Sequence, residues 1–227
     1  MPKYEFTGET KVFPRHTLRR IRALVAVGKD VRPGDLGGWI ESEDNLAQDG
    51  DAWVYDEAKV FGRALVRGSA RVADRAQVCN AWVYQRAKVY GDALVCEQAK
   101  VYGDALVYGH AKMYGSAEAS GNAEVFGDAE VCGNAWICGD AKVCGYADYS
   151  VFRNTWAPTR WPRWFTYTSS NKMWTAGGFH GTGEDLIKES YAKSVLSGKC
   201  YEAVVRAQEA VEKAREENGN QEAPRGK

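Results

Sequence analysis

Only three histidines, His16, His110 and His180, give the chain side chains that exchange a proton near neutral pH without being perturbed. His110 stands in Tyr108-Gly109-His110-Ala111, and His180 in the run Gly177-Gly178-Phe179-His180-Gly181-Thr182-Gly183. A base of that kind suits deprotonating an acceptor hydroxyl or amine, so His110 and His180 are the candidate catalytic residues. The glycine-rich run carries no following Lys-Ser/Thr, and so does not read as a phosphate loop. Thr182 with Asp185 three places on reads as a helix N-terminal cap instead. Six cysteines raise the question of metal chemistry. Three of them, Cys132, Cys138 and Cys144, recur at a constant step of six. Whether they converge depends on the element that carries the step.

That element is a repeat running from Asp51 to Ser150. Alanine returns seventeen times between Ala52 and Ala147, every six residues except for a five-residue step from Ala76 to Ala81. An aliphatic residue follows two places after nearly every alanine, and Gly-Asp or Gly-Asn closes many of the hexads. Small–x–aliphatic has the period of a strand, and Gly-Asp is turn chemistry. On a helix, successive pairs would fall about 240° apart and scatter over all sides, with the glycines adding cost. Short strands that stack copy upon copy are therefore expected. The one-residue deletion at Val78-Cys79-Asn80-Ala81 should tighten one corner without changing the face that follows.

Val101-Tyr102-Gly103-Asp104-Ala105-Leu106 resembles the hexapeptide repeat of left-handed parallel β-helices, in which three hexads make one triangular coil. The resemblance implies a mainly β fold, a left-handed parallel β-helix of about six coils. Leu18-Arg19-Arg20-Ile21, Gly37-Gly38-Trp39-Ile40 and Gly50-Asp51-Ala52-Trp53-Val54-Tyr55 narrow it further. Over roughly residues 4–150 the chain resembles the YdcK-like proteins, a hexapeptide-repeat family common in bacterial genomes and prophages. That likeness implies an N-terminal cap and a phage or prophage context, but transfers no catalytic residue. Many hexapeptide β-helices are acetyl- or acyl-CoA-dependent transferases, with a histidine base on a loop leaving the helix and the cofactor between subunits. Here no loop interrupts the hexads near His110, and the expectation is a chain that is not an enzyme.

A triangular coil sends Cys132, Cys138 and Cys144 to three faces, so no metal site is expected and the thiols should be unbridged. Cys79 and Cys96 should be stacked neighbours. The residue after each aliphatic one should stand near a corner, with Tyr90, Tyr108 and Phe126 as one ladder and Tyr84 and Tyr102 as another. Trp82, Lys100, Glu118 and Trp136 should share a wall. Exposed aromatics mark interfaces, and the candidate partner surface comprises Trp82, Tyr84, Tyr90, Tyr102, Tyr108, Tyr114, Phe126, Trp136 and Trp174.

Around the repeat, residues 1–50 read as a small β cap, with strands at Tyr4–Phe6 and Lys11–Phe13 around Thr7-Gly8. Residues 151–217 read as a module with a β-hairpin at Phe165–Thr168 and Met173–Ala176 and two helices, about Glu184–Ser194 and Lys199–Glu217, broken at Ser197-Gly198. In the second helix Cys200, Val204, Ala207, Val211 and Ala214 keep a 4-3-4-3 spacing, a candidate self-association seam. Residues 218–227 read as a polar tail. Zero formal net charge offers no general field for nucleic acid. The absence of an apolar span or leader pattern gives the expectation of a cytoplasmic protein in its host cell, off the membrane. The functional expectation is a non-enzymatic binding or scaffold protein without cofactors, meeting a protein partner, in one version a host defence factor. The alternatives are a CoA-dependent acyltransferase using His110 or His180, and sequestration of a small nucleotide by the Trp156–Trp174 region.

Overall fold

Each hexad folds as a strand of two or three residues followed by a turn, and every coil hydrogen-bonds to the next through parallel pairing. The computed structural model describes residues 1–145, 148–154, 163–176 and 179–219. It divides into two units, Met1–Ser150 and Val151–Lys227, at the place where the repeat ends.

In the first unit the parallel strands form three walls. One runs through Trp39, Lys59, Gln77, Leu94, Lys112 and Glu130. A second runs through Trp53, Arg71, Lys88, Leu106, Glu124 and Lys142. The third runs through Leu65, Trp82, Lys100, Glu118 and Trp136. The result is a parallel β-helix of about six three-sided coils. The repeat alanines from Ala52 to Ala141 and their aliphatic partners from Val54 to Val143 fill its interior, all of them buried. The five-residue step is absorbed at Asn80, which takes φ 51° and donates its N–H to the Phe61 carbonyl at 3.3 Å. Trp82 still pairs with Leu65 and Lys100, so the wall that follows is unchanged.

The corners need left-handed backbone. At Gly103 (φ 73°) an added Cβ would lie 2.8 Å from the Gly121 nitrogen, so glycine alone fits without a shift. Earlier coils place Asp74, Gln85 and Glu97 at positive φ instead. Each repays the strain by accepting a backbone N–H from the next coil: Gly91 to Asp74 at 2.8 Å, Gly103 to Gln85 at 2.7 Å, Gly115 to Glu97 at 2.6 Å.

The cap differs in one respect from expectation. Tyr4–Phe13 is a single strand, paired antiparallel with His16–Ala23, and a register shift between Phe6 and Thr10 takes up the Gly8 turn as a bulge. His16–Ala23 pairs in turn with Leu36–Ile40, which opens the first parallel wall. Side chains at Gly37 or Gly38 would meet Ile21 at 2.6 Å and the Ala58 carbonyl at 2.7 Å, which explains the Gly-Gly before Trp39.

Tyr149–Asn154, which starts two residues before the division between the units, forms a four-stranded sheet with Arg163–Thr168, Met173–Ala176 and Phe179–Gly181 of the second unit. Its core joins Phe165, Tyr167 and Trp174 to Leu186, Ile187, Tyr201 and Val205 from α1 (Gly183–Lys193) and α2 (Val195–Gly219). Thr182 caps α1, accepting the Asp185 N–H at 3.2 Å. The helix break falls at Ser194 rather than at Ser197-Gly198. Ser194 accepts the Ser197 N–H at 3.0 Å and starts α2. Gly198 lies inside that helix, where only glycine fits, since a Cβ there would reach 2.3 Å from the Tyr191 ring.

Asn45 ties the cap to the coils. Its side chain, 0% exposed, accepts from the Glu41 and Ser42 N–H groups at 3.1 and 2.9 Å and donates to the Gly62 and Ala64 carbonyls at 3.0 and 2.8 Å. Asn45→Ala strands all four groups and should destabilise the first unit by about 2–4 kcal/mol, read as a lowered denaturation midpoint.

Candidate functional site

The turns between the second wall and the first carry Glu57, Arg75, Asp92, His110 and Asp128 at equivalent positions in successive coils. Arg75 grips Asp92 with two charge-assisted bonds, Nε at 2.7 Å and Nη2 at 2.6 Å, and holds that carboxyl below its usual range. On the other side His110 brings Nδ1 to 3.9 Å from the same carboxylate, with the ring 70% exposed. His110 is fixed in the coil by its own N–H, donated to the Gly127 carbonyl at 2.9 Å. This Arg75–Asp92–His110 row was not visible as a motif, because its members lie 17 and 18 residues apart. His180 belongs to the second unit, on the strand Phe179–Gly181, with Nδ1 3.3 Å from the Thr175 hydroxyl.

The third wall carries the other candidate feature. Trp82 is 49% exposed. Two hollows flank it, one of ≈ 770 Å³ bordered by Arg63, Asn80 and Ser116, the other of ≈ 360 Å³ bordered by Leu65, Arg67 and Tyr84. Lys100 lines both, its ammonium 5.6 Å from the Trp82 ring centre and 2.7 Å from Glu118. Arg67 lies 5.3 Å from the Tyr84 ring centre. The arrangement offers an aromatic face with cations around it, suited to an anionic group attached to a ring. Sequence reasoning placed Trp82 and Lys100 on this wall but did not single out Arg63 and Arg67.

The aromatic ladders form as expected. Tyr84 and Tyr102 stack at 5.0 Å, Tyr90 and Tyr108 at 4.9 Å, and Tyr108 and Phe126 at 5.3 Å. Their hydroxyls are tied to wall carboxylates: Tyr102 donates to Glu118 at 3.1 Å, Tyr108 to Glu124 at 3.0 Å, and Tyr114 to Glu130 at 3.4 Å. Trp136 is half-buried and donates Nε1–H to the Ser120 hydroxyl at 3.1 Å. Trp174, counted among the exposed aromatics, is 2% exposed. It packs inward against Phe165 and Tyr167. It offers no surface, and Trp156 and Trp161 of the nucleotide-sequestering reading lie outside the described residues. On α2 the second unit buries Tyr201, Val205 and Gln208, while Cys200 and Val204 of the proposed seam are half-buried and Ala207, Val211 and Ala214 exposed.

The six cysteines are all thiols, none in a disulfide. Cys132, Cys138 and Cys144 follow strands of three different walls. Among the described residues no three His, Cys, Asp or Glu side chains gather as a metal site. Cys79 and Cys96 are register partners on adjacent coils. The two neighbouring thiols are coupled, so that one proton of the pair is held more loosely and the other more tightly than in an isolated cysteine.

The fold and these surfaces define a class, a hexapeptide-type parallel β-helix with an aromatic and ionic exterior. The chain is 36% identical over 80 residues to a protein of Escherichia coli strain K12 described as an uncharacterized acetyltransferase, YdcK. The match takes in 32% of this chain and 24% of that relative, so the chain covers about a quarter of the relative's length. No protein-family profile matches. The similarity corrects the expectation that the chain is not an enzyme. That expectation leaned on the missing loop at His110, whereas the relative carries an enzyme's description. No described helix is long and apolar enough to cross a membrane.

Two measurements follow from these surfaces. Burial and the neighbouring Glu118 or Glu124 push Tyr102 and Tyr108 from 10.0 up to about 12. A raised folded pKa means the folded state favours the neutral phenol. The stabilisation is complete below about pH 10 and disappears as pH rises through about 12. Phenolate absorbance should therefore show a late-titrating class, with unfolding midpoints falling over that window. Limiting iodoacetamide near neutral pH should label the Cys79–Cys96 pair before the other cysteines, as mapped by peptide mass, and Cys79→Ser should slow that phase by uncoupling the pair.

Proposed function

We propose that the chain is an acyl-group transferase with His110 as general base. The observation that carries this reading is the exposed His110 imidazole beside Asp92, and the relative described as an acetyltransferase supports it. With Nδ1 turned to Asp92, the ring keeps Nε2 for an acceptor. Nε2 takes the proton of an acceptor hydroxyl or amine as that group attacks the thioester carbonyl of an acyl-CoA. The new acyl–oxygen or acyl–nitrogen bond forms, the carbon–sulfur bond breaks, and the departing thiolate recovers the proton from the imidazolium. Asp92, itself clamped by Arg75, steadies the charged imidazolium during the transfer.

The phosphorylated nucleotide end of the donor suits the third wall, its ring against Trp82 and its phosphates near Arg63, Arg67 and Lys100. His110 sits at a corner away from that wall. A complete site on this reading takes the corner of one copy and the wall of another, in keeping with the intersubunit cofactor of hexapeptide transferases.

The test supplies acetyl-CoA with a panel of amine and hydroxyl acceptors and resolves released coenzyme A chromatographically, since the protein's own thiols would consume a thiol reagent. Turnover should fall about 100-fold or more in His110→Ala. Equal rates in the parent and His110→Ala, or no coenzyme release with any acceptor, would discard the reading.

A further inference from the structure

At the corner after the second wall, successive coils carry Tyr55, Ala73, Tyr90, Tyr108 and Phe126. The last three are stacked, with interplanar angles of 1° and 8°. Ala73 interrupts the column, and among the described non-aromatic corner positions it alone has a ring in the coil on each side. Coils rise about 4.8 Å each, so the missing rung leaves Tyr55 and Tyr90 about 10 Å apart. One further aromatic ring fits between them at about the usual stacking separation from both. A hollow of ≈ 330 Å³ lies at this point, with Ala73 in its lining and Tyr55 and Tyr90 on either side.

The rims of the hollow differ in charge. Arg71 and Lys88 line it from the wall, Asp56 and Asp74 from the turns. Arg71 is anchored by Asp30 at 2.6 Å, with its guanidinium carbon 5.9 Å from the Tyr55 ring centre. Lys88 is exposed and brings a mobile positive charge. Asp56 and Asp74 each commit one carboxylate oxygen to a backbone N–H, of Asp74 at 3.3 Å and of Gly91 at 2.8 Å, and each keeps a second acceptor oxygen.

We propose that the vacant rung is a binding slot for a planar heteroaromatic ring carrying an anionic group, of the purine nucleotide type. The ring takes the place of the absent side chain between Tyr55 and Tyr90. Exocyclic amino groups donate to Asp56 or Asp74, and the phosphate meets Lys88. Stacking supplies most of the affinity and is tolerant of ring identity, whereas the two charged rims select a ring with a donor edge and an anion. The slot does not depend on acyl transfer, and it lies on a different face of the coils from Trp82.

Calorimetric titration of the full chain with adenosine monophosphate, and separately with adenosine, tests the proposal. Adenosine monophosphate should bind with a dissociation constant of about 1 mM or tighter. Ala73→Tyr completes the column and should weaken that binding about tenfold or more, with the thermal midpoint at or above the parent's. Lys88→Gln touches only an exposed position and should weaken the nucleotide about threefold while leaving adenosine unchanged. No binding by the parent at about 10 mM nucleotide, or equal affinity in Ala73→Tyr, overturns the slot. Should Ala73→Tyr fail to fold, Lys88→Gln decides, and an unaltered preference for the nucleotide over adenosine in that variant also overturns it.

Discussion

Parallel hydrogen bonding of each coil to the next is the constraint that the first unit cannot relax. Lys100 N–H donates to the Ala117 carbonyl and Tyr102 N–H to that of Ala119, both at 2.9 Å, and the same pattern recurs at every wall. Strands of two residues bury nothing alone, so their stability comes from stacking. The spacing of the coils then governs every side chain outside: whatever stands at one position lies about 4.8 Å from its counterpart in the next coil. Rings must stack, thiols must meet, and charges must pair or repel.

Much of the exterior follows from that rule. Charges along the walls are compensated across coils, Lys100 with Glu118, Lys112 with Glu130 and Lys142 with Glu124. Each of these pairs neutralises charge between neighbouring coils of one wall. Exposed pairs of this kind contribute little individually, so their main effect is to keep like charges off adjacent rungs. The same spacing makes exceptions informative. A histidine among aspartates and an alanine between tyrosines stand out only once the columns are drawn.

The ends of the β-helix are where regularity stops and polar groups must be satisfied individually. At the start, Lys3 reaches the Ala52 carbonyl at 2.9 Å, Tyr4 the Leu46 carbonyl at 3.0 Å, and Trp39 donates to Glu57 at 3.1 Å. Burial lowers the Lys3 pKa to about 8 despite Asp49 and Asp51 nearby, a cost accepted for closing the open first coil. A sheet edge and an apolar interior exposed there would invite association with another chain.

The hexad period by itself determined short stacked strands, and with the three-hexad coil that its resemblance to the hexapeptide repeat implies, it set the walls, the stacked tyrosines and the pairing of Cys79 with Cys96. It also determined that Cys132, Cys138 and Cys144 part company. What the tertiary structure decided lies where the period is silent. Trp174 is buried because its face of the sheet packs on Phe165 and Tyr167 and on the apolar side of the two helices. Gly198 was read as a helix break and is a close-contact residue against Tyr191. The Arg75–Asp92–His110 row and the gap at Ala73 join residues about one coil apart, and proximity at that range is created by the fold rather than written in neighbouring positions.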